Sequence, residues 1–301
     1  MARIVLKIDV DTLRGTREGT PNLVRMLERF GARATFLFSL GPDHTGWALR
    51  RVFRPGFLKK VSRTSVVEHY GIKQLMYGTL LPGPDIGRRA AAEMRAVHAA
   101  GFETGIHTWD HVYWQDNVRQ QPREWTIKQM QSGFERYREI FGTEPSTHGA
   151  AGWQMNDHAF EQIDAWGMAY ASDGRGRGPY RPTLNGRTLN HIQMPTTLPT
   201  LDEILGVNGI DASNAAAYLL KLTAQSTLNA GDQVFTLHAE LEGQRLAPIF
   251  EALLAGWQAQ GHTLVTMGDY YASLDLDSLP SYPVAWGEIS GRSGALIVQP
   301  V

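Results

Sequence analysis

Apolar positions in this chain fall into two patterns. Short dense runs occupy residues 2–9 (ARIVLKID), 34–38, 102–106, 168–171, 234–237 and 262–265. Such runs are strand-length and almost continuously apolar, which predicts strands covered on both faces. Between them, apolar residues recur every three or four positions. This predicts helices from Thr20-Pro21 to about Phe30, over 85–100 up to Gly101, over 125–141 up to Gly142, over 157–166, over 213–230 and over 244–260. Thr266 and Asp269 suit a capping box that opens one more helix. Strands alternating with helices imply a parallel sheet. The expected fold is α/β: a single distorted or incomplete (β/α) barrel over residues 1–275, with an insertion at about 42–84. Residues 276–301 carry Pro280, Pro283, Gly287, Gly291 and Gly294 and are expected to be an irregular tail on the outside.

The net charge of −1 favours no class of partner, but the charge is unevenly placed. Between Trp47 and Tyr77, Arg50, Arg51, Arg54, Lys59, Lys60, Arg63 and Lys73 face one acid, Glu68, a balance of +6; the remainder of the chain carries −7. Trp47, Phe53 and Phe57 are interleaved with these cations. The mixture predicts an amphipathic surface for an anionic bilayer, with Arg50, Arg51, Lys59 and Lys60 in contact. A helix packed on the barrel by one apolar stripe would show the same pattern. No nucleic-acid-binding module accompanies the cations, so no nucleic-acid partner is expected. The absence of cysteine excludes disulfides, thiolate ligands and a thiol nucleophile. No run approaches the roughly 18 apolar residues of a spanning helix. The first strand begins at once, leaving no room for a signal peptide, so the expected location is cytoplasmic, soluble or peripheral to the membrane.

Three short pieces carry candidate chemistry, each at the C-terminal end of an expected strand, where β/α barrels build their sites. Asp9 and Asp11 lie in KIDVDT and share a face if the strand continues through Val10. One could ligate a metal while the other serves as base, although Asp is also common in turns after strands. His107 and His111 lie in HTWDH and would share a face in a helical turn. His238, in TLHAE, is weak taken alone. His44, His69, His98, His158, His191 and His262 have no such setting and are read as structural or surface residues. Together the pieces provide metal ligands, a base and an acid, the groups needed to split a C–N bond with an activated water. Asp-His-His ligation with water suits zinc, cobalt, manganese or nickel.

His-Thr-Xaa-Xaa-His at 107–111, the spaced Asp pair and the late Leu-His resemble the polysaccharide deacetylase (NodB-homology) superfamily of metal-dependent carbohydrate amide hydrolases. The resemblance implies Asp9 as base, Asp11, His107 and His111 as metal ligands, and His238 as general acid. It also implies that Asp173, in YASDGRG, orients His238. The family's Arg-x-Pro-x-Gly loop is replaced by His148-Gly-Ala-Ala-Gly152, which leaves His148 or Arg175 as the expected partner of Asp9. KIDVDTLRGTREGTP, LFSLGPD, GIHTWDHVYWQ, AAGW, YASDGRG with PYRP, MPTTLPTLDE and TLHAELEG follow in order. They resemble a narrower branch that deformylates a formamido-arabinose carried on polyprenyl phosphate for lipid A modification and polymyxin resistance. That implies a polyprenyl-phosphate-linked sugar substrate at the anionic inner-membrane surface. Arg14 and Arg17, on the loop beyond Asp11, and Arg175 and Arg181 are candidate contacts for its phosphate, with a surface ion pair as the alternative for each, and His148 is a further candidate contact. The alternatives are a cytoplasmic deacetylase or other C–N hydrolase acting on a soluble sugar or ureide, and a non-catalytic lipid- or sugar-binding homologue.

Overall fold

The computed structural model describes residues 2–48, 72–224 and 231–300. The central sheet is built from β1 (Arg3–Val10), β2 (Thr35–Ser39), β3 (Glu103–Thr108), β4 (Thr147–His148) and β5 (Tyr170–Ala171). After a hairpin of β6 (Arg181–Leu184) and β7 (Arg187–Thr188) come β8 (Ile192–Gln193), β9 (Gln233–His238) and β10 (Thr263–Val265). Every pairing within this sheet is parallel, in the order β9-β1-β2-β3-β4-β5-β8. β10 lies beside the first half of β1 and β2 beside its second half. The sheet curls until the stretch after β8 meets β9: Thr197 N and Leu198 N both donate to Val234 O, at 3.1 and 3.2 Å. The result is an imperfectly closed β/α barrel, as the sequence pattern predicts.

Alternation along β1 divides its residues between two environments. Ile4, Leu6, Ile8 and Val10 join the large core shared with the surrounding helices. Val5 faces inward and packs with Tyr170, Ile192, Val234 and Val265, which plug one end of the barrel. Above that plug the inward positions of β1 become polar, Lys7 and then Asp9, and both are buried. The interior therefore grades from an apolar floor to a charged mouth.

Several element boundaries differ from the expectation. A π-helical turn, Gly15–Gly19, precedes the helix Thr20–Arg29, so Thr20 is itself helical (φ −58°, ψ −49°) rather than an N-cap. Its hydroxyl donates to Gly15 O at 3.2 Å. The expected helix over 85–100 is broken at Ala90 into Ile86–Arg89 and Ala91–Ala99. The capping box does form: Asp269 N donates to Thr266 Oγ1 at 2.9 Å and Thr266 N to Asp269 Oδ2 at 3.2 Å.

The tail is more ordered than its Pro and Gly content suggested. β11 (Ser281–Pro283) pairs with β6, while β12 (Ala285–Gly287) and β13 (Leu296–Val298) form an antiparallel pair. Ile297 is fully buried, and its carbonyl accepts from Arg175 N at 2.9 Å. Arg50, Arg51, Lys59 and Lys60, the expected membrane contacts, lie outside the described residues. Among the described residues no helix is long and apolar enough to cross a membrane.

Candidate metal centre

β1 delivers Asp9 to the mouth, and the turn that follows delivers Asp11. That turn is pinned from the end of the neighbouring strand, β9. Glu240, just past β9, accepts from Asp11 N at 3.0 Å, Thr12 N at 2.9 Å and Thr12 Oγ1 at 2.8 Å through a single oxygen. Burial, reinforced by the nearby Asp11 charge, pushes the Glu240 carboxyl well above its usual range. The GTREG turn packs directly on this loop. A Cβ at Gly15 would fall 1.8 Å from Glu240 Oε1, and one at Gly19 would fall 1.9 Å from Ala239 O, so neither position admits a side chain. Glu240→Ala orphans two buried backbone donors, each costing about 1–3 kcal/mol. Lower stability to denaturant and weaker metal retention are expected. Glu240→Gln, which keeps an accepting oxygen, should be milder; equal loss in both variants would refute this role.

His107 sits near the end of β3, and His111 is the first residue of the helix His111–Asn117. The pair does not share one helix face, as the spacing suggested. A strand-turn-helix brings the rings together, with centroids 5.2 Å apart. Asp110 caps that helix by accepting from Tyr113 N at 3.1 Å, and its other oxygen meets His44 Nδ1 at 2.5 Å. The structural role read for His44 is this contact. Asp11 Oδ1 lies 3.2 Å from His107 Nε2, and Asp11 Oδ2 lies 3.4 Å from His111 Nε2. One ligand atom from each of the three residues falls within a 4.8 Å cluster, the one such group among the described residues.

The donor set fits a divalent cation. His107 Nδ1 donates to Gly149 O at 2.6 Å, since a carbonyl can only accept. In the neutral ring this leaves Nε2 as the lone-pair nitrogen, directed at the Asp11 carboxylate. Two such acceptors facing each other in a buried site are reconciled by a proton on Nε2 or by a metal ion between them. Asp9 Oδ1 and Asp11 Oδ1 are also buried without a hydrogen-bond partner among the described residues. Burial alone would raise the Asp11 carboxyl, but the imidazoles of His111 and His107 outweigh it and hold it far below the usual range. Burial alone would lower His107; Asp9 and Asp11 reverse this and raise it.

His238 ends β9 in direct register with Asp9 on β1, so both project to the same face at the mouth. Its backbone N–H donates to Glu242 Oε2 at 2.8 Å, while its Nδ1 is buried without a partner among the described residues. Burial pushes Glu242 up to about 7, with His238 pulling the other way.

Three expectations are corrected here. Asp173 does not orient His238: its oxygens are taken by His148 Nδ1 at 2.6 Å and Gln193 Nε2 at 2.7 Å. His148 is in register with Ile106, not His107, and therefore projects toward the helices, beside Met130 and Trp166. Burial would raise Asp173, but the His148 imidazole holds it low. Asp9 is partnered by neither His148 nor Arg175. Its partner is Lys7, whose Nζ lies 3.1 Å from Asp9 Oδ2. A lysine inside an apolar run was the missed signal: a buried charge needs an opposite charge, and Asp9 is the next residue on the same face.

Of the four arginines, Arg175 is committed to Glu203 at 2.5 Å and to the carbonyls of Thr196 and Leu198. Arg181 donates to Leu276 O at 3.2 Å. Arg14 pairs with Glu18 at 2.8 Å, and Arg17 donates to Arg89 O at 2.5 Å; both remain partly open to solvent.

Residues 3–171 match the polysaccharide deacetylase family. A probable 4-deoxy-4-formamido-L-arabinose-phosphoundecaprenol deformylase of Shewanella sediminis is 36% identical, covering 98% of this chain and 94% of that protein. A probable deformylase of the same description from Wigglesworthia glossinidia brevipalpis is 29% identical over 95% and 98%. Among solved structures, a putative polysaccharide deacetylase from Mycobacterium smegmatis superposes with a TM-score of 0.61 at 16% identity, covering 96% of each chain. A probable polysaccharide deacetylase from Pseudomonas aeruginosa gives 0.57 at 15% identity, covering 90% of each. At these identities the two structures speak to the fold alone.

Proposed function

The chain belongs to the polysaccharide deacetylase family, and from that premise we propose that it hydrolyses the formamide of 4-deoxy-4-formamido-L-arabinose carried on phosphoundecaprenol. The products are formate and the free amino sugar, the form used to modify lipid A in polymyxin resistance. The observation behind the substrate is the likeness to deformylases over nearly the whole chain, β9 and the tail included.

In this reading Asp11, His107 and His111 hold a divalent ion, with zinc, cobalt, manganese and nickel all compatible with the ligands. When bound, such an ion supplies a Lewis acid and lowers the pKa of water. Asp9 accepts the proton of the attacking water. The water oxygen bonds to the formyl carbon and the C–N bond breaks. His238, on the neighbouring strand, delivers a proton to the departing nitrogen, without which an amide anion could not leave. Arg14 and Arg17, on the turn beyond Asp11, are offered to the phosphate. The basic segment around Arg50 and Lys59 would rest on the anionic cytoplasmic face of the inner membrane as a peripheral contact.

The test is mass spectrometry of a formamido-arabinosyl polyprenyl phosphate incubated with purified, metal-loaded protein. Loss of the formyl group with release of formate is expected. An intact lipid, together with hydrolysis of a soluble acetamido sugar or a ureide, would replace this reading with that of a soluble C–N hydrolase.

A further inference from the structure

We propose that Lys7 is the positioning residue for Asp9, turning one carboxylate oxygen toward the reaction by holding the other; this rests on the reading of Asp9 as base. Lys7 is fully buried at an inward position of β1, between residues that pack in the apolar core. Its Nζ lies 3.1 Å from Asp9 Oδ2 and 5.7 Å from the centroid of the Trp153 ring. Asp9 Oδ1 has no hydrogen-bond partner among the described residues and lies 3.8 Å from Nδ1 of the ligand candidate His107. The carboxylate is thus divided between an oxygen held by Lys7 and an oxygen with no hydrogen-bond partner among the described residues, beside the His107 ring.

The surroundings support a dedicated role. Removing an ammonium from water is costly unless it is paired, so an aliphatic residue would serve this position better if packing were its only task. Leu37 and Gly149 close around the stem: a Cβ at Gly149 would come within 2.9 Å of Lys7 Cε and 2.3 Å of Leu37 Cδ1. Trp153 covers the ammonium, and Arg175 and Arg292 lie over the same ring at 4.9 and 4.5 Å. These guanidiniums are engaged by Glu203, so Asp9 is left to Lys7. A donor two residues earlier on the same strand takes the part expected of an Arg from another loop.

The test is a double-mutant cycle on formamide hydrolysis with metal content measured in parallel. Lys7→Met is expected to lower kcat on the order of a hundredfold, the scale of a roughly 1 Å misplacement of a catalytic group. KM and metal content should be unchanged, and Lys7→Arg should recover most of the loss. In an Asp9→Asn background, Lys7→Met should cost almost nothing, because the side chain it orients no longer accepts a proton. Equal cost in both backgrounds would overturn the proposal, as would a folded, metal-loaded Lys7→Met with full kcat or a Lys7→Arg as slow as Lys7→Met. If Lys7→Met does not fold, Lys7→Gln keeps a polar group in the cavity and closes the same cycle under the same criteria. Retention of full activity in Asp9→Asn alone would instead overturn the assignment of Asp9 as base, a separate result.

Discussion

Asp9→Asn is expected to lower turnover of the formamido lipid by on the order of a hundred- to ten-thousandfold, the range for loss of a general base, with metal content unchanged. The amide has the same shape as the carboxylate but cannot take a proton from water. Asp9 is outside the ligand cluster, which Asp11, His107 and His111 form without it. The substitution also disturbs a buried pair, since Lys7 is left facing a neutral group. Removing one partner of such a pair costs about 3–5 kcal/mol when nothing replaces it. The Asn oxygen can still accept from Nζ, so the loss should be smaller, and a urea titration will show whether the variant is folded under assay conditions. Turnover near that of the parent would remove Asp9 from the reaction.

Chelation is expected to bring turnover to background, and readded divalent ions to restore it. His107→Ala should do so permanently, with metal content falling alongside. His107 is the most constrained ligand, fixed through Nδ1 to Gly149 O, and loss of such orienting contacts typically costs 10–100-fold in metal affinity or activity. His111 is partly exposed, and His111→Ala should retain metal better than His107→Ala. Full turnover in a rigorously metal-free preparation would refute the hydrolytic scheme.

The architecture was legible because parallel strands buried on both faces announce themselves as apolar runs; β1, β2, β3, β5, β9 and β10 all lie in such runs. β4 and β8 are two residues long, and the hairpin of β6 and β7 packs with few apolar residues, so periodicity had little to detect. In the site, the chemistry-bearing residues at strand ends were legible and their supports were not. Asp9, Asp11, His107, His111 and His238 converge as their positions suggested. Asp173 was assigned to His238 from its place in a motif, but strand register turns its partner His148 toward the helices. Glu240 and Glu242, alternating with His238, were visible as a period-two pattern that went unused. Lys7 required asking what a charge does inside a strand with no solvent face.

The place of β1 between distant neighbours shapes how the molecule comes into being. Arg3 N meets Asp232 Oδ1 229 residues later in the chain, and Ile4 to Asp9 of β1 pair with β9. At about 5–20 residues per second, synthesis separates these partners by roughly ten to fifty seconds. Throughout that interval Ile4, Leu6 and Ile8 have no β9 edge to pair with, and the Asp11 turn has no Glu240 to pin it. So non-local a topology folds slowly. The nascent chain therefore carries the first acids of its reaction centre, unorganised, until almost the last strand of the barrel has been made.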